Sequence, residues 1–116
     1  MRLVVNGHNV EITPELYSHV EGRVLSTLGT LGRQIGRVTV RVHALLGTED
    51  AMTACHILVD LHPSGGLGIG AAAPNVETTI DRAAERAGGA VRRELARRRG
   101  LPRWPLVGIR AGMKRG

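Results

Sequence analysis

The chain has 116 residues, of which 42% are hydrophobic and 22% charged, so the sequence predicts one folded domain and excludes global disorder. Aromatic residues amount to only 2%, with no Phe, which leaves Val, Leu, Ile and Ala to form the core. Cys55 is the single cysteine, and this excludes both an internal disulfide and a CxxC metal site.

The net charge of +6 is distributed unevenly. Residues 1–81 hold five Arg against eight acidic residues, a net charge of −3, whereas residues 82–116 hold ten Arg and one Lys against two acidic residues, a net charge of +9. This asymmetry favours a polyanionic partner, first nucleic acid and second an anionic membrane, over a basic surface that has no partner.

The N-terminus does not have the composition of a targeting segment. It contains only three consecutive apolar residues, which is too few for a signal peptide. No apolar run approaches the roughly 18 residues that a membrane span needs. We therefore expect a cytoplasmic protein that does not associate with a membrane.

The first two predicted elements are a strand and a helix. Residues 2–6 are apolar and β-branched, which predicts a strand that ends before Gly7. Thr13 and Pro14 mark a helix start, because Thr can cap free amides and Pro fits the first turn. The helix ends near Gly29 or Gly32, and its apolar positions are Leu16, Val20, Val24, Leu28 and Leu31.

Three strands with alternating apolar side chains follow in residues 36–47, 52–62 and 67–73. Segments 47–50 and 62–66 have the composition of turns, so we expect an antiparallel meander with one apolar face. The side chains assigned to that face are Val38, Val40, Val42, Cys55, Ile57, Val59, Leu61, Leu67, Ile69 and Ala71.

The last predicted element is a helix that opens at Asn75, a capping residue, and runs to residue 99. Gly88 and Gly89 each cost up to about 1 kcal/mol relative to Ala, and they mark either a bend or a close backbone contact. Its apolar stripe consists mainly of small residues, namely Val76, Ile80, Ala83, Ala84, Ala87, Val91 and Leu95.

The order of elements is therefore β-α-β-β-β-α. It predicts an α+β fold in which a four-stranded sheet carries two helices on one face and leaves the other face open to water. Residues 1–99 form this domain. Residues 100–116 show no periodicity and are expected to be a basic, poorly ordered tail.

A basic stripe lies beside the apolar stripe of the last helix. At about 100° per residue, four arginines line up over roughly 20 Å, and Arg92 lies off this line. Guanidinium groups bind phosphate oxygens bidentately, although a GC-rich genome also favours Arg over Lys, so the positions carry more weight than the residue type. The four residues, called the arginine stripe below, are Arg82, Arg86, Arg93 and Arg97.

The scarcity of aromatic residues argues against a sheet that stacks bases, as RRM modules and OB-folds do. A surface rich in Arg and poor in rings reads phosphates and shape, which favours structured RNA.

Catalytic interpretations are weak. The five His residues show no HxxxH or HExxH spacing on a helix. His43 and His56 can be neighbours on the open sheet face and could form a weak metal site with Asp60, but exposed strand histidines are the simpler interpretation. Cys55 faces inward and is better explained as a buried residue than as a nucleophile. Residues 66–70 lack the GxGxxG spacing of a dinucleotide-binding site. We therefore expect that the protein is not an enzyme and that it binds neither a metal ion nor a cofactor.

Four phrases together carry a family resemblance. Residues 5–13 follow the pattern I-x-G-[RK]-N-[IV]-E-[IV]-T, residues 20–23 follow V-E-x-[KR], and residues 63–66 follow P-x-G-G. Residues 79–81 stand where an Ala-Ile-Asp phrase opens the last helix, and the later basic positions of that helix match Arg82, Arg86, Arg92 and Arg93. Because these segments occur in this order over residues 2–98, the chain resembles the ribosome hibernation promoting factor family, also called ribosome-associated inhibitor A.

This resemblance implies an architecture like that of double-stranded-RNA-binding domains. It also implies binding to rRNA of the small ribosomal subunit, in the channel between head and body where mRNA and tRNA lie. Such proteins block translation by occupancy and protect idle ribosomes in stress or stationary phase, with no catalytic residue, cofactor or small-molecule substrate. Longer members add a C-terminal domain that pairs ribosomes. This chain resembles the short, single-domain form, and no dimerisation domain is recognised.

The arginine stripe is thus the candidate phosphate-binding surface, with Arg92, Arg23 and His8 as second-line contacts. His8 stands where the family usually has a basic residue, and Ser26 stands where it often has Lys, so basic contact is weakened there. The alternative is a general structured-RNA or nucleoid-binding protein without ribosome specificity. A small metal-dependent enzyme on the open sheet face is a distant third.

Overall fold

Four strands form one mixed sheet in the computed structural model, which describes residues 1–45 and 51–100. The strands are β1 (Arg2–His8), β2 (Ile35–Leu45), β3 (Met52–Leu61) and β4 (Gly66–Ala73), and they lie side by side in that order. The helices are α1 (Pro14–Leu28), which a 3₁₀ turn at Gly29–Gln34 extends, and α2 (Val76–Gly100). The predicted order β-α-β-β-β-α is confirmed. The turn predicted at 47–50 and nearly all of the tail predicted at 100–116 lie outside the described residues.

β1 pairs with β2 in parallel, whereas β2, β3 and β4 form the expected antiparallel meander. A parallel pair needs a crossover connection, and α1 supplies it. Val5 is the register partner of Val40, which in turn pairs with Ile57. Alternate residues therefore point toward the helices, and those of β2 and β3 are fully buried: Val38, Val40, Val42, Cys55, Ile57 and Val59.

Three residues of the phrase at 5–13 shape the end of β1, which continues past the predicted end at Gly7 to His8, and the connection from it to α1. A Cβ at position 7 would overlap the carbonyl oxygen of Val10, so the backbone can approach this closely only at Gly7. Asn9 adopts a left-handed backbone with φ of 58°, which Asn tolerates better than most residues. Thr13 then caps α1, since its Oγ1 accepts a hydrogen bond from the Leu16 amide at 3.1 Å.

The N-terminus of α2 is fixed to the sheet by a buried hydroxyl. Asn75 caps the helix by accepting a hydrogen bond from the Thr78 amide at 3.0 Å. The fully buried Thr79 Oγ1 lies 2.8 Å from the carbonyl oxygen of Asn75 and 3.2 Å from that of Ala73 in β4. It also lies 3.3 Å from the Thr53 carbonyl oxygen in β3. Because a hydroxyl has one proton, Thr79 donates to one of these three carbonyl oxygens at a time, at the point where the helix meets two strands.

The core formed by residues 1–45 and 51–100 contains no aromatic side chain, and α2 packs closely through small residues. Ala83, Ala84 and Ala87 are at most 1% exposed and lie between the helix and the sheet. Gly88 is also buried, on the side that faces α1. A Cβ at position 88 would lie 3.1 Å from the carbonyl oxygen of Thr27 and 3.2 Å from its Cβ. The glycine at 88 therefore marks a close contact between the helices, whereas nothing in the structure explains Gly89.

Cys55 is fully buried on the helix-facing side of β3, as the alternation predicts. Burial raises the pKa of its thiol to about 11, because the thiolate would lose its hydration. The thiol therefore stays protonated at neutral pH and has the properties of a small apolar core group.

None of the helices within residues 1–45 and 51–100 combines the length and hydrophobicity that crossing a membrane requires.

The two adjacent glycines of α2 provide a matched test of the helix contact. We expect Gly89→Ala to raise the free energy of unfolding by about 0.5–1 kcal/mol, the usual gain from Ala in a helix interior. Gly88→Ala should lack this gain and leave the protein at least about 1 kcal/mol less stable than Gly89→Ala, since its methyl group must push Thr27 away. Urea denaturation measures both values. Equal stabilisation by the two substitutions would contradict the proposed contact.

Candidate nucleic-acid interface

The arginine stripe lies on the outer side of α2, as predicted. All four side chains are exposed, whereas the alanines on the opposite side of the helix are buried. From residue 82 to residue 97 the helix rises about 22 Å, because each residue adds about 1.5 Å. The stripe therefore presents guanidinium groups along most of one side of a rigid rod.

The stripe runs along the free edge of the sheet. Arg86 Nη1 donates a hydrogen bond of 3.0 Å to the carbonyl oxygen of Gly70 in β4, which is an edge strand. Unpaired carbonyls of an edge strand are open to pairing with other chains, and a charged side chain over them reduces that hazard. Arg86 thus has a structural role that the sequence did not reveal.

The C-terminal end of the stripe is partly neutralised by Glu94. Arg97 donates two hydrogen bonds to this carboxylate, Nε to Oε1 at 3.2 Å and Nη2 to Oε2 at 2.6 Å. Arg98 Nε donates to Oε2 at 2.8 Å. Hydrogen bonds from Arg97 and Arg98 lower the pKa of the Glu94 carboxyl to about 2. Within the described part of the chain, no salt bridge engages Arg82 or Arg93, so these two are the most available stripe members.

Two of the second-line residues, Arg23 and Arg92, lie on the other side of α2, where it meets α1. Arg92 Nη2 donates a hydrogen bond of 3.1 Å to the Thr27 carbonyl oxygen. Arg23 Nε lies 3.2 Å from Asp81 Oδ1, but this buried nitrogen makes no hydrogen bond. The same oxygen lies 2.8 Å from His19 Nε2, which can donate to it. These contacts join the helices, so the two arginines are less available to a ligand than Arg82 and Arg93.

His8 lies on the opposite face of the sheet from α2. His8 is the register partner of His43 in β2, so the two side chains lie on the same face of the sheet. The neighbours of His43 in β2, Val42 and Ala44, point to the other face, because side-chain direction alternates along a strand. The ring centroids of His8 and His43 are 5.7 Å apart, and those of His43 and His56 are 5.8 Å apart. The structure therefore does not bring His8 together with the arginine stripe, although both were assigned to one phosphate-binding surface.

The metal site considered for His43, His56 and Asp60 does not form. Asp60 Oδ2 lies 3.4 Å from Arg37 Nε, its register partner in β2, and thus pairs with an arginine. Across residues 1–45 and 51–100, no three His, Cys, Asp or Glu side chains come close enough to hold a metal ion. The proximity predicted for His43 and His56 is confirmed, but the third ligand is not there.

A protein-family model described as "Sigma 54 modulation protein / S30EA ribosomal protein" matches residues 3–99. Among solved structures, the chain is similar to the N-terminal domain of Protein Y from Thermus thermophilus, with a TM-score of 0.61 and 26% identity over 81% of this chain and 99% of that one. It is also similar to a ribosomal subunit interface protein from Coxiella burnetii, with a TM-score of 0.71 and 17% identity over 83% of this chain and 99% of that one. The latter likeness supports the fold alone. No curated protein matches the sequence.

The pKa of Glu94 makes stability depend on pH in a defined direction. Because the folded-state pKa of about 2 lies below the ordinary value of about 4.3, the Arg pairs stabilise the fold fully above the ordinary value. This contribution is lost as pH falls through the folded-state pKa. We expect Glu94→Gln to reduce the free energy of unfolding at pH 7, and the difference from wild type to shrink between about pH 4.3 and 2.

Urea denaturation at several pH values tests this expectation. Glu85→Gln is the control, since it removes an exposed carboxylate from the same helix. A difference between wild type and Glu94→Gln that is constant with pH would show that the ion pairs do not stabilise the fold.

Proposed function

Because the chain belongs to the sigma 54 modulation protein / S30EA ribosomal protein family, we propose that it binds rRNA in the mRNA and tRNA channel of the small ribosomal subunit. The family is ribosome-associated. By occupying the channel, the protein blocks translation and keeps idle ribosomes inactive during stress or stationary phase. The mechanism is steric and requires no catalytic residue.

The arginine stripe is the observation that carries this proposal. Its exposed guanidinium groups form a line about 22 Å long on a helix that is held rigidly by its buried alanines. Guanidinium groups bind phosphate oxygens through paired N–H donors. In A-form RNA the base edges of the deep groove are inaccessible, so a row of such donors reads backbone and shape. Folded rRNA offers this kind of surface.

The distribution of partners along the stripe assigns unequal roles to its members. Arg82 and Arg93 provide the main phosphate contacts, because neither is held in a salt bridge within the described residues. Arg86 can add a contact if it leaves the Gly70 carbonyl. Arg97 must share its charge with Glu94, and Arg23 and Arg92 contribute only at the margin of the interface.

Charge reversal at the available arginines tests the surface. We expect Arg82→Glu and Arg93→Glu together to weaken binding to purified small subunits and to reduce the slope of log K against log salt by about one unit per lost phosphate contact. Arg93→Glu is also measured alone, and Arg33→Glu is its matched control, since Arg33 is exposed in the 3₁₀ turn and gives the same change in net charge. Co-sedimentation over a series of salt concentrations measures both quantities. An unchanged slope would show that the stripe is only solvated.

Competition tests the location. Wild-type protein should lose binding to the small subunit when mRNA and initiator tRNA occupy the channel, and it should bind empty subunits more tightly than generic duplex RNA at the same salt concentration. Equal affinity for subunits and duplex RNA would favour the alternative, a general structured-RNA or nucleoid-binding protein.

A further inference from the structure

The open face of the sheet carries three imidazoles in one row. His8 and His56 are exposed and His43 is half-buried between them, with ring centroids separated by 5.7 and 5.8 Å. We call these three side chains the imidazole row. The rings line a shallow depression of about 530 Å³ whose other walls include Asn9 and Ala54. The row exists because β1 pairs with β2 in parallel, which puts His8 directly beside His43.

The strand at the edge of this face contributes three glycines to it, and side chains of β3 lean over two of them. β4 contributes Gly66, Gly68 and Gly70 to the open face, so no side chain rises from it at these positions. A Cβ at position 70 would lie 3.2 Å from Cδ2 of His56, which shows that the imidazole leans over this glycine. The exposed side chains of His56 and Leu58 therefore form the surface that an extended ligand would meet on this part of the open face.

The charge of the open face is positive. Arg2, Arg37 and Arg41 point to it, and Asp60 is the one acidic residue among the described strand residues that does so. Three positive charges against one give +2 with neutral imidazoles. Because Asp60 pairs with Arg37, Arg2 and Arg41 are left for an anionic ligand. Arg41 lies between Asn6 and His56 in the strand register, next to the imidazole row.

We propose that the open face of the sheet binds a single-stranded RNA segment, with the imidazole row stacking against its bases and Arg41 pairing with a phosphate. Planar rings on a sheet are the usual platform for single-stranded RNA, and histidine serves as one of the stacking side chains. The scarcity of Phe, Tyr and Trp does not exclude this mode, since an imidazole is itself a planar ring that can stack on a base. The charge of the face is complementary to the RNA backbone.

This surface is separate from the arginine stripe, because the sheet lies between the imidazole row and α2. The proposal adds a second RNA surface to the proposed function and does not depend on the ribosomal site that the stripe binds. The two surfaces differ in the RNA they suit. Rigid guanidinium groups along a helix suit folded RNA, whereas rings on an open sheet suit unpaired bases.

Paired substitutions at the two exposed imidazoles test the proposal. The probes are a fluorescent twelve-nucleotide oligouridylate and a twelve-base-pair RNA duplex, and the readout is Kd from fluorescence anisotropy. We expect His8→Ala with His56→Ala to raise the Kd for oligouridylate about fivefold or more, the usual effect of losing a stacked ring. His8→Tyr with His56→Tyr should retain binding, because tyrosine also stacks. Neither pair should change the Kd for the duplex more than about twofold.

The control is His62→Ala, which removes an exposed imidazole from the turn before β4 and should leave both Kd values unchanged. Equal losses in the Ala and Tyr pairs, or equal losses of both probes, would overturn the stacking role. Melting curves show whether each variant is folded. If a variant is not folded, the wild-type protein is titrated with oligouridylate and its imidazole proton resonances are followed by NMR. Shifts of these resonances support the proposal, and their absence refutes it.

The outcome separates this proposal from the proposed function. If oligouridylate does not bind while binding to small subunits depends on Arg82 and Arg93, the sheet proposal fails and the proposed function stands. If oligouridylate binds through the imidazole row while charge reversal in the stripe leaves subunit binding unchanged, the sheet proposal stands and the stripe assignment fails.

Discussion

The close packing of α2 against the sheet and against α1 determines where the basic side chains of this domain lie. Because the core of the described residues holds no large ring, the helix packs near the sheet through alanines and near α1 through Gly88. Thr79 fixes the start of the helix on β3 and β4. A helix held on two sides has only one long side left for solvent, and the arginine stripe occupies the part of it next to β4.

The same packing sorts the arginines of α2 into different environments. On the side that faces α1, Arg92 bonds to a backbone carbonyl. Near the C-terminus of α2, the partly buried carboxylate of Glu94 forms salt bridges with Arg97 and Arg98. Among the described residues of the outer side, Arg82, Arg86 and Arg93 are exposed and form no salt bridge with a carboxylate. The net charge therefore overstates how many basic side chains a polyanion can contact, because some of these side chains pair with groups that hold the helices together.

The sequence was sufficient to predict the four strands and both helices, because β1 is apolar and β-branched, the other strands alternate, and each helix has an apolar period and a capping residue at its start. Thr13 and Asn75 cap their helices as their residue types predict. Most of the buried stripe of α2 was predictable, since a helix with one apolar side buries that side, but the buried Thr79 and Gly88 were not assigned to it and Val76 is only half-buried.

The sequence could not predict the contacts between elements that are distant in the chain. The parallel pairing of β1 with β2 depends on the path of α1, so the alignment of His8 with His43 was not predictable from local pattern. The contact of Gly88 with Thr27 depends on the distance between two helices, and either a bend or a contact fitted the pattern. The bonds of Arg86 and Glu94 depend on side-chain geometry that periodicity does not contain.

The phrase at residues 5–13 illustrates what a family signature records. Gly7 is required by a close approach of backbone, Asn9 by a left-handed conformation, and Thr13 by free amides at a helix end. None of these three residues belongs to the arginine stripe or to the imidazole row. In this domain, these three letters of the phrase describe how the chain turns, whereas position 8 of the same phrase holds His8 of the imidazole row and is free of that constraint. A relative could therefore keep the turn intact and still change the side chain that position 8 presents.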